Sequence, residues 1–294
     1  MTQMKTITAN GLKFGYLEEG PSDGPLALIL HGFPDSPHSW RNLLSEMAAA
    51  GFHAVAPFMR GYAPTEIPSD GAYQIGALVA DTNALHEALG GTDEAVIIGH
   101  DWGAPTVYGA VAHAPDRWRR AVTMAVPPLQ TAFDGGFFGL DYTQLKRSFY
   151  MFLFQTPLAE PAVSMNDLAF IDGLWRDWSP GLEAPEEIAR TKDCLREPAN
   201  LTAAINYYRA LFDPSVHVAA YAAEQQAAEQ GVGKCPVLYL HGTGDECIGA
   251  DVSVGAEQHL PVGSRIELIE GAGHFLHLER PEEISRKIVD WLSR

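Results

Sequence analysis

The chain has 294 residues, of which 46% are hydrophobic, and its 20 Lys and Arg residues stand against 37 Asp and Glu residues, a formal net charge of -17 at pH 7. This length is enough for one large α/β domain, or for a domain with an insertion, that buries a full hydrophobic core. Because the net charge is strongly negative, nucleic acid and acidic membrane surfaces are not expected partners.

The first half of the sequence predicts strands that alternate with helices. The segment Met4 to Glu18, turned at Asn10-Gly11, predicts two antiparallel edge strands. The continuous apolar run Leu26 to Leu30 is typical of a strand buried on both faces. Further strands are predicted at 53–56, 94–98 and 120–124, and helices at 40–49, 73–89 and 102–113. This alternation predicts a mostly parallel, doubly wound α/β sheet.

The alternation stops after residue 128. Helices alone are predicted between Leu129 and about Glu229, at 142–154, 165–175, 185–196 and 199–211. Strands are predicted again at 236–240 and 266–269, and an amphipathic helix at 281–292. We therefore expect a core domain of residues 1–128 and 230–294. The inserted helical cap domain, 129–229, should cover the carboxyl edge of the sheet, where open α/β sheets bind ligands.

A candidate nucleophile follows the predicted strand at 94–98. The motif Gly99-His100-Asp101-Trp102-Gly103 places an acid between two glycines, where a strand turns sharply into a helix. A helix N-cap is the alternative role of Asp101, but glycines on both sides favour a nucleophile. A carboxylate is ionised at neutral pH without a base and can attack an alkyl carbon. Water must then hydrolyse the aspartyl ester.

Hydrolysis of that ester needs a base and an acid that orients the base. Asp245 and His274 each follow an apolar strand and a glycine-rich turn, so both should lie at the same sheet edge as Asp101. Glu246 remains an alternative to Asp245.

The ester intermediate also needs two N–H donors for its oxyanion. The backbone N–H of Trp102, directly after the nucleophile, is one candidate. The second is the N–H of Phe33 in His31-Gly32-Phe33-Pro34, which follows an earlier strand. A cis peptide bond is expected before Pro34, because such bonds are common only before proline.

Other classes of site receive little support. The sequence has three widely spaced cysteines, Cys194, Cys235 and Cys247. They form no C-x-x-C pair, which argues against disulfides or a zinc knuckle. The spacing His274-x-x-His277 with Glu279 is a weak metal signal, because no third ligand cluster accompanies it. No cofactor or metal is predicted. The sequence shows no apolar signal core and no long apolar run, so we expect a soluble, cytoplasmic protein.

Three motifs, His31-Gly32-Phe33-Pro34, Gly99-His100-Asp101-Trp102-Gly103 and Gly273-His274, resemble those of the α/β-hydrolase-fold epoxide hydrolases. The resemblance runs over nearly the whole chain. It implies an α/β-hydrolase fold with a helical cap, and hydrolysis of an epoxide to a vicinal diol through an aspartyl ester. It also implies that two cap tyrosines, Tyr150 and Tyr208, hold the epoxide oxygen. A phenol with a pKa near 10 suits that task; Tyr207 is an alternative to Tyr208.

The expected pocket is apolar, with Phe152, Phe154 and Pro34 as substrate-binding residues beside Phe33 and Trp102. A small neutral epoxide and water are therefore the expected partners of a monomer or homodimer. Haloalkane dehalogenases share the aspartate elbow and are the alternative, although a second halide-binding donor is not evident. A non-catalytic ligand receptor of the same fold ranks last, because every catalytic position is present.

Overall fold

A central sheet organises the structure, a computed structural model that describes residues 3–134 and 142–294. The strands of these residues are Gln3–Ala9 (β1), Leu12–Glu19 (β2), Leu26–Leu30 (β3), His53–Pro57 (β4), Val96–His100 (β5), Arg120–Met124 (β6), Val237–Gly242 (β7) and Arg265–Ile269 (β8). They lie in the order β1-β2-β4-β3-β5-β6-β7-β8. β1 and β2 are antiparallel, as expected for the edge pair, and β3 to β8 are parallel to one another.

Helices cover this sheet. They are Arg41–Ala49 (α1), Ile75–Ala88 (α2), Gly103–His113 (α3), Leu129–Asp134 (α4), Tyr142–Arg147 (α5), Phe149–Leu153 (α6), Ala159–Trp178 (α7), Pro185–Leu195 (α8), Pro198–Phe212 (α9), Ala222–Gln230 (α10), Leu276–Glu279 (α11) and Pro281–Leu292 (α12). α1 packs against α12, and α2 packs against α3. Every residue of β3, β4 and β5 is buried, as expected when both faces of a sheet are covered. Within the described residues, no helix combines the length and the apolar character needed to cross a bilayer.

Between β6 and β7, the described residues form helices and connecting turns without a strand, as the sequence predicts. Its last helix, α10, packs against α2 and α3 of the core, and the Gln225 side chain accepts a hydrogen bond from the Gly76 N–H at 2.7 Å. The expected boundary at residue 229 would put α10 in the cap domain, whereas this helix packs against helices of the core. No core signal marks α10 in the sequence, because its buried contact is made by alanine, as at Ala228, and no apolar stripe runs along one face.

The parallel register places the loops of the site at one edge. Leu30 pairs with Gly99, His100 with Met124, and Gly242 with Ile269. The loops that follow β3, β5, β7 and β8 therefore begin at the carboxyl edge of the sheet. The peptide bond between Phe33 and Pro34 in the first of these loops is cis, which confirms that expectation.

Candidate active site

The turn between β5 and α3 is the strained elbow that the sequence predicts. Asp101 has a φ of 51°, in the left-handed region of backbone conformation that residues with a Cβ rarely adopt. A Cβ on Gly99 would lie 2.2 Å from the Gly103 carbonyl oxygen, and one on Gly103 would lie 2.4 Å from the Leu30 carbonyl oxygen. Neighbouring backbone lies so close that neither position has room for a side chain, so both must be glycine. The tight turn that results places the Asp101 side chain above the edge of the sheet.

The two carboxylate oxygens of Asp101 have different surroundings. Oδ1 accepts a hydrogen bond of 2.7 Å from the Phe33 N–H. Oδ2 lies 3.6 Å from Nε2 of His274. Burial alone would raise the pKa of Asp101, but the nearby positive charge of His274 and the hydrogen bond from the Phe33 N–H outweigh burial and lower the pKa below its usual value. Asp101 is therefore ionised at neutral pH.

Two oxyanion donors are expected. One of them, the Phe33 N–H, donates a hydrogen bond to the Asp101 carboxylate in the structure. The described residues include no hydrogen bond from the Trp102 N–H to that carboxylate. An oxyanion exists only in the tetrahedral intermediate, so the role of this second N–H stays a prediction. The Trp102 ring contacts the Tyr208 ring edge-on, with centroids 5.0 Å apart.

His274 is oriented by Asp245. Nδ1 of His274 donates to Oδ2 of Asp245 at 3.0 Å, and Oδ1 of Asp245 accepts from the Cys247 and Ile248 N–H groups at 2.7 and 2.9 Å. The side chain of Glu246, in contrast, is 49% exposed and pairs with Arg147. The geometry therefore favours Asp245 over Glu246 as the orienting acid.

The charge on His274 follows from its two acidic neighbours. Its side chain is fully buried, which by itself would lower the pKa. The negative charges of Asp245 and Asp101, with the hydrogen bond to Asp245, outweigh burial and raise the pKa of His274 to about 10. The resting site therefore holds an imidazolium between two carboxylates.

Tyr150 and Tyr208 line the same cavity as Asp101. Their rings meet edge-on, with centroids 5.5 Å apart. The Tyr208 hydroxyl has no hydrogen-bond partner among the described residues, whereas the Tyr207 hydroxyl donates to the Arg60 carbonyl at 2.9 Å. Burial raises the pKa of both cavity tyrosines well above 10, so both phenols are neutral. This placement favours Tyr208 over Tyr207.

The cavity is apolar apart from these three side chains. The empty space inside it, counted together with the open solvent at its mouth, is about 410 Å³. The other residues of its wall are Ile75, Trp102, Pro105, Val126, Leu129, Met151, Leu211 and Ile248. The sequence did not single out most of this wall, because it is assembled from side chains of separate helices and loops. A single negative group in an apolar cavity suits a neutral ligand.

The three expected substrate-binding residues lie elsewhere. Phe152 is 43% exposed and packs on Phe212, so the expectation that it lines the pocket is corrected. The reason is helix phase: Tyr150 in α6 and Phe154, the C-cap residue of that helix, are four residues apart and lie on one side, whereas Phe152 lies on the other side. Phe154 is fully buried behind Tyr208, at 5.2 Å between centroids. The carbonyl of Pro34 accepts from the Trp175 indole N–H at 2.7 Å.

This fold and site are those of an α/β hydrolase, and residues 25–281 match the alpha/beta hydrolase fold family. The chain is 31% identical to epoxide hydrolase 3 of Mus musculus, over 95% of this chain and 73% of that protein. It is also 31% identical to epoxide hydrolase 3 of Siraitia grosvenorii, over 98% of each chain. The solved structure of epoxide hydrolase A from Mycobacterium thermoresistibile superimposes with a TM-score of 0.79 at 25% identity, covering 99% of this chain and 98% of that one. The chain belongs to the α/β-hydrolase fold family and, within it, to the epoxide hydrolases.

Proposed function

We propose that the protein hydrolyses a small neutral epoxide to a vicinal diol through a covalent ester on Asp101. One observation carries this proposal: the Asp101 carboxylate and the hydroxyl-bearing side chains of Tyr150 and Tyr208 line a single apolar cavity. A nucleophile and two neutral proton donors are the groups that epoxide opening requires.

In the first half-reaction, Oδ2 of Asp101 attacks one epoxide carbon, because Oδ1 is held by the Phe33 N–H. The carbon–oxygen bond of the ring breaks, and its electron pair goes to the ring oxygen. Tyr150 and Tyr208 donate hydrogen bonds to that oxygen, and one of the two hydroxyls gives it a proton. The tyrosinate that remains is reprotonated by the His274 imidazolium before the second half-reaction. The unpartnered Tyr208 hydroxyl supports this role, because the substrate would complete its hydrogen bonding.

In the second half-reaction, esterification has removed the negative charge of Asp101. That charge is one of the causes that raise the pKa of His274, so the pKa should fall once the ester forms. The neutral imidazole takes a proton from water, and the hydroxide oxygen attacks Cγ of Asp101. The Phe33 and Trp102 N–H groups stabilise the oxyanion. When this intermediate collapses, the bond between Cγ and the diol oxygen breaks, and that oxygen takes the proton of the hydroxyl added at Cγ. The diol leaves, and Asp101 is again a carboxylate beside the imidazolium.

Two variants test this sequence of steps with styrene oxide as the probe. His274→Ala should form the ester and then stop, so the intact-protein mass should rise by the mass of one epoxide. Asp101→Ala should show neither the mass increase nor diol formation. An undiminished steady-state rate in His274→Ala would refute the hydrolysis step. Halide release from bromoalkanes in place of diol formation would favour the dehalogenase alternative.

A further inference from the structure

Two polar side chains of β7, Tyr239 and His241, lie beside Asp245, and the reaction proposed above assigns no step to them. Both are fully buried, and residues two apart in a strand point to the same face of a sheet. The Tyr239 hydroxyl forms a hydrogen bond with Nδ1 of His241. Nε2 of His241 lies 2.9 Å from the Ile248 carbonyl oxygen and 3.5 Å from Oδ2 of Asp245. The two side chains therefore form a series of contacts that leads to the orienting acid.

The contacts of His241 specify which of its ring nitrogens carries the proton. A carbonyl oxygen can only accept, so Nε2 donates to the Ile248 carbonyl. Burial lowers the pKa of His241 below its ordinary value of 6.5, so the ring is neutral at pH 7 and Nδ1 holds a lone pair. Burial also raises the pKa of Tyr239 well above 10, so its hydroxyl keeps its proton and donates a hydrogen bond to that lone pair. The Tyr239 hydroxyl therefore fixes His241 in its Nε2–H tautomer.

Ile248 links this histidine to the acid. Its carbonyl oxygen accepts from His241, whereas its N–H donates to Oδ1 of Asp245 at 2.9 Å. Because the backbone of the segment 245–248 holds Oδ1 in this way, Oδ2 is left for Nδ1 of His274, at 3.0 Å. A shift of Ile248 would therefore move a donor that fixes the carboxylate on which the base depends.

The opposite tautomer of His241 would disturb this arrangement. With the proton on Nδ1, the lone pair of Nε2 would face two oxygens, the Ile248 carbonyl oxygen at 2.9 Å and Oδ2 of Asp245 at 3.5 Å. The lone pair would repel both oxygens, and the buried carbonyl would lose its donor, which is costly. In the Nε2–H tautomer, the same N–H turns its positive end toward both oxygens.

We propose that Tyr239 and His241 are positioning residues of the hydrolysis step. Tyr239 sets the tautomer of His241, and the Nε2–H of His241 holds the segment 245–248, which in turn holds Asp245 in the orientation that fixes His274. This role rests on the function proposed above, because the base acts on the aspartyl ester. Neither side chain belongs to the cavity wall that the described residues form. Their loss should therefore slow ester hydrolysis and spare ester formation.

Tyr108 offers a matched control. It is a buried tyrosine of α3 whose hydroxyl lies 2.7 Å from the Thr123 hydroxyl and donates to the Val126 carbonyl at 3.2 Å. Tyr108→Phe and Tyr239→Phe each remove one buried hydroxyl that has a protein partner, so a purely structural effect should be similar in the two variants. Only Tyr239→Phe releases the tautomer of His241.

The kinetic test follows ester formation and ester hydrolysis in single turnovers of styrene oxide with excess protein. In Tyr239→Phe, hydrolysis should slow about 10–10²-fold, as expected when a catalytic group is misplaced. Ester formation in this variant, and both rates in Tyr108→Phe, should stay within about twofold of the wild type.

A second variant separates the tautomer from other effects of Tyr239. The side-chain amide in His241→Gln can still donate to the Ile248 carbonyl, but it has no alternative tautomer for Tyr239 to exclude. Tyr239→Phe should therefore slow hydrolysis much less in the His241→Gln background than in the wild type. An equal effect in both backgrounds would show that Tyr239 does not act through the tautomer.

The tautomer itself is measured in the resting protein, without substrate, by NMR of ¹⁵N-labelled histidine. We expect the proton of His241 on Nε2 in the wild type and in Tyr108→Phe, and partly on Nδ1 in Tyr239→Phe. The signal of the His274 Nδ1 proton, which is bonded to Asp245, should shift in Tyr239→Phe alone.

A proton on Nδ1 of His241 in the wild type would overturn the proposal. So would equal slowing of hydrolysis in Tyr239→Phe and Tyr108→Phe, or an equally large loss of ester formation, since either indicates a general structural defect. A wild type that forms no ester would refute the proposed function, whereas the two NMR signals would still decide the role of Tyr239. If Tyr239→Phe does not fold, His241→Leu replaces it. Hydrolysis should then be slower than in His241→Gln, and equal rates would refute the role of the Nε2–H.

Discussion

Nε2 of His274 lies 3.6 Å from Oδ2 of Asp101, which is too far for a hydrogen bond but close enough for each charge to shift the pKa of the other. This relationship links the charge of the base to the state of the nucleophile. While Asp101 is free, the histidine is held in its protonated form. In the proposed mechanism, esterification of Asp101 removes that influence, and the histidine can then act as a base.

The first prediction concerns stability against pH. The pKa of His274 is raised from 6.5 to about 10 in the folded protein. A raised pKa stabilises the fold fully below the unfolded value of 6.5, and that contribution is lost as the pH rises through about 10. Between these values, the free energy of unfolding should fall more steeply in the wild type than in His274→Gln, measured by denaturant titration. If the free energy of unfolding changed with pH in the same way in both proteins, His274 would not be held in its protonated form.

The second prediction separates Asp245 from its neighbour. Asp245→Asn should lower turnover by about 10²–10⁴-fold, because the base loses the acid that orients it. Glu246→Gln should leave turnover unchanged, since it removes only a partly exposed ion pair, worth about 0–1 kcal/mol. Steady-state rates of both variants decide the assignment, and reversed effects would make Glu246 the orienting acid.

The third prediction concerns the tyrosines. Tyr208→Phe should slow ring opening by about 10²-fold, and the double variant with Tyr150→Phe should lose it. Tyr207→Phe is the matched control. It leaves the Arg60 carbonyl without its 2.9 Å hydrogen bond and should cost about 1 kcal/mol of stability while ring opening continues. Rapid-mixing measurement of ester formation checks all three. A larger loss in Tyr207→Phe than in Tyr208→Phe would reverse the assignment.

The fourth prediction tests the elbow. Gly103→Ala should destabilise the protein by about 1–3 kcal/mol, because its Cβ would lie 2.4 Å from the Leu30 carbonyl oxygen. Gly173→Ala, in α7, is the control: its Cβ would meet nothing closer than 3.8 Å, so a helical alanine should stabilise by about 0.5–1 kcal/mol. Thermal midpoints should therefore move in opposite directions. An unchanged thermal midpoint in Gly103→Ala would show that the turn has room for a side chain.

Much of the fold could be predicted because its signals are local. The apolar run of β3 and the elbow motif around Asp101 each specify structure within a few residues, and parallel strands then bring distant loops together. Sequence alone could not decide whether Tyr207 or Tyr208 faces the cavity, because adjacent residues of a helix differ only in the direction in which their side chains point. Phe152 was misplaced for the same reason: the phase of a short cap helix is set by packing.

The surroundings of His277 were beyond sequence analysis for a different reason. The spacing of His274 and His277 with Glu279 is only a weak metal signal. The structure pairs the Glu279 carboxylate with the Gly273 N–H and sets His277 beside Asp35 and His100, from two other parts of the chain. Surroundings assembled from three parts of the chain leave no spacing that a sequence pattern can report.

The central claim is that the oxygen added to the diol comes first from Asp101 and is replaced from water only afterwards. A single turnover with excess protein in heavy-oxygen water tests it directly. We predict an unlabelled diol and label in the Asp101 carboxylate, located by mass spectrometry of the peptide that contains it. Label in the diol of this first turnover, with none in the protein, would contradict the account.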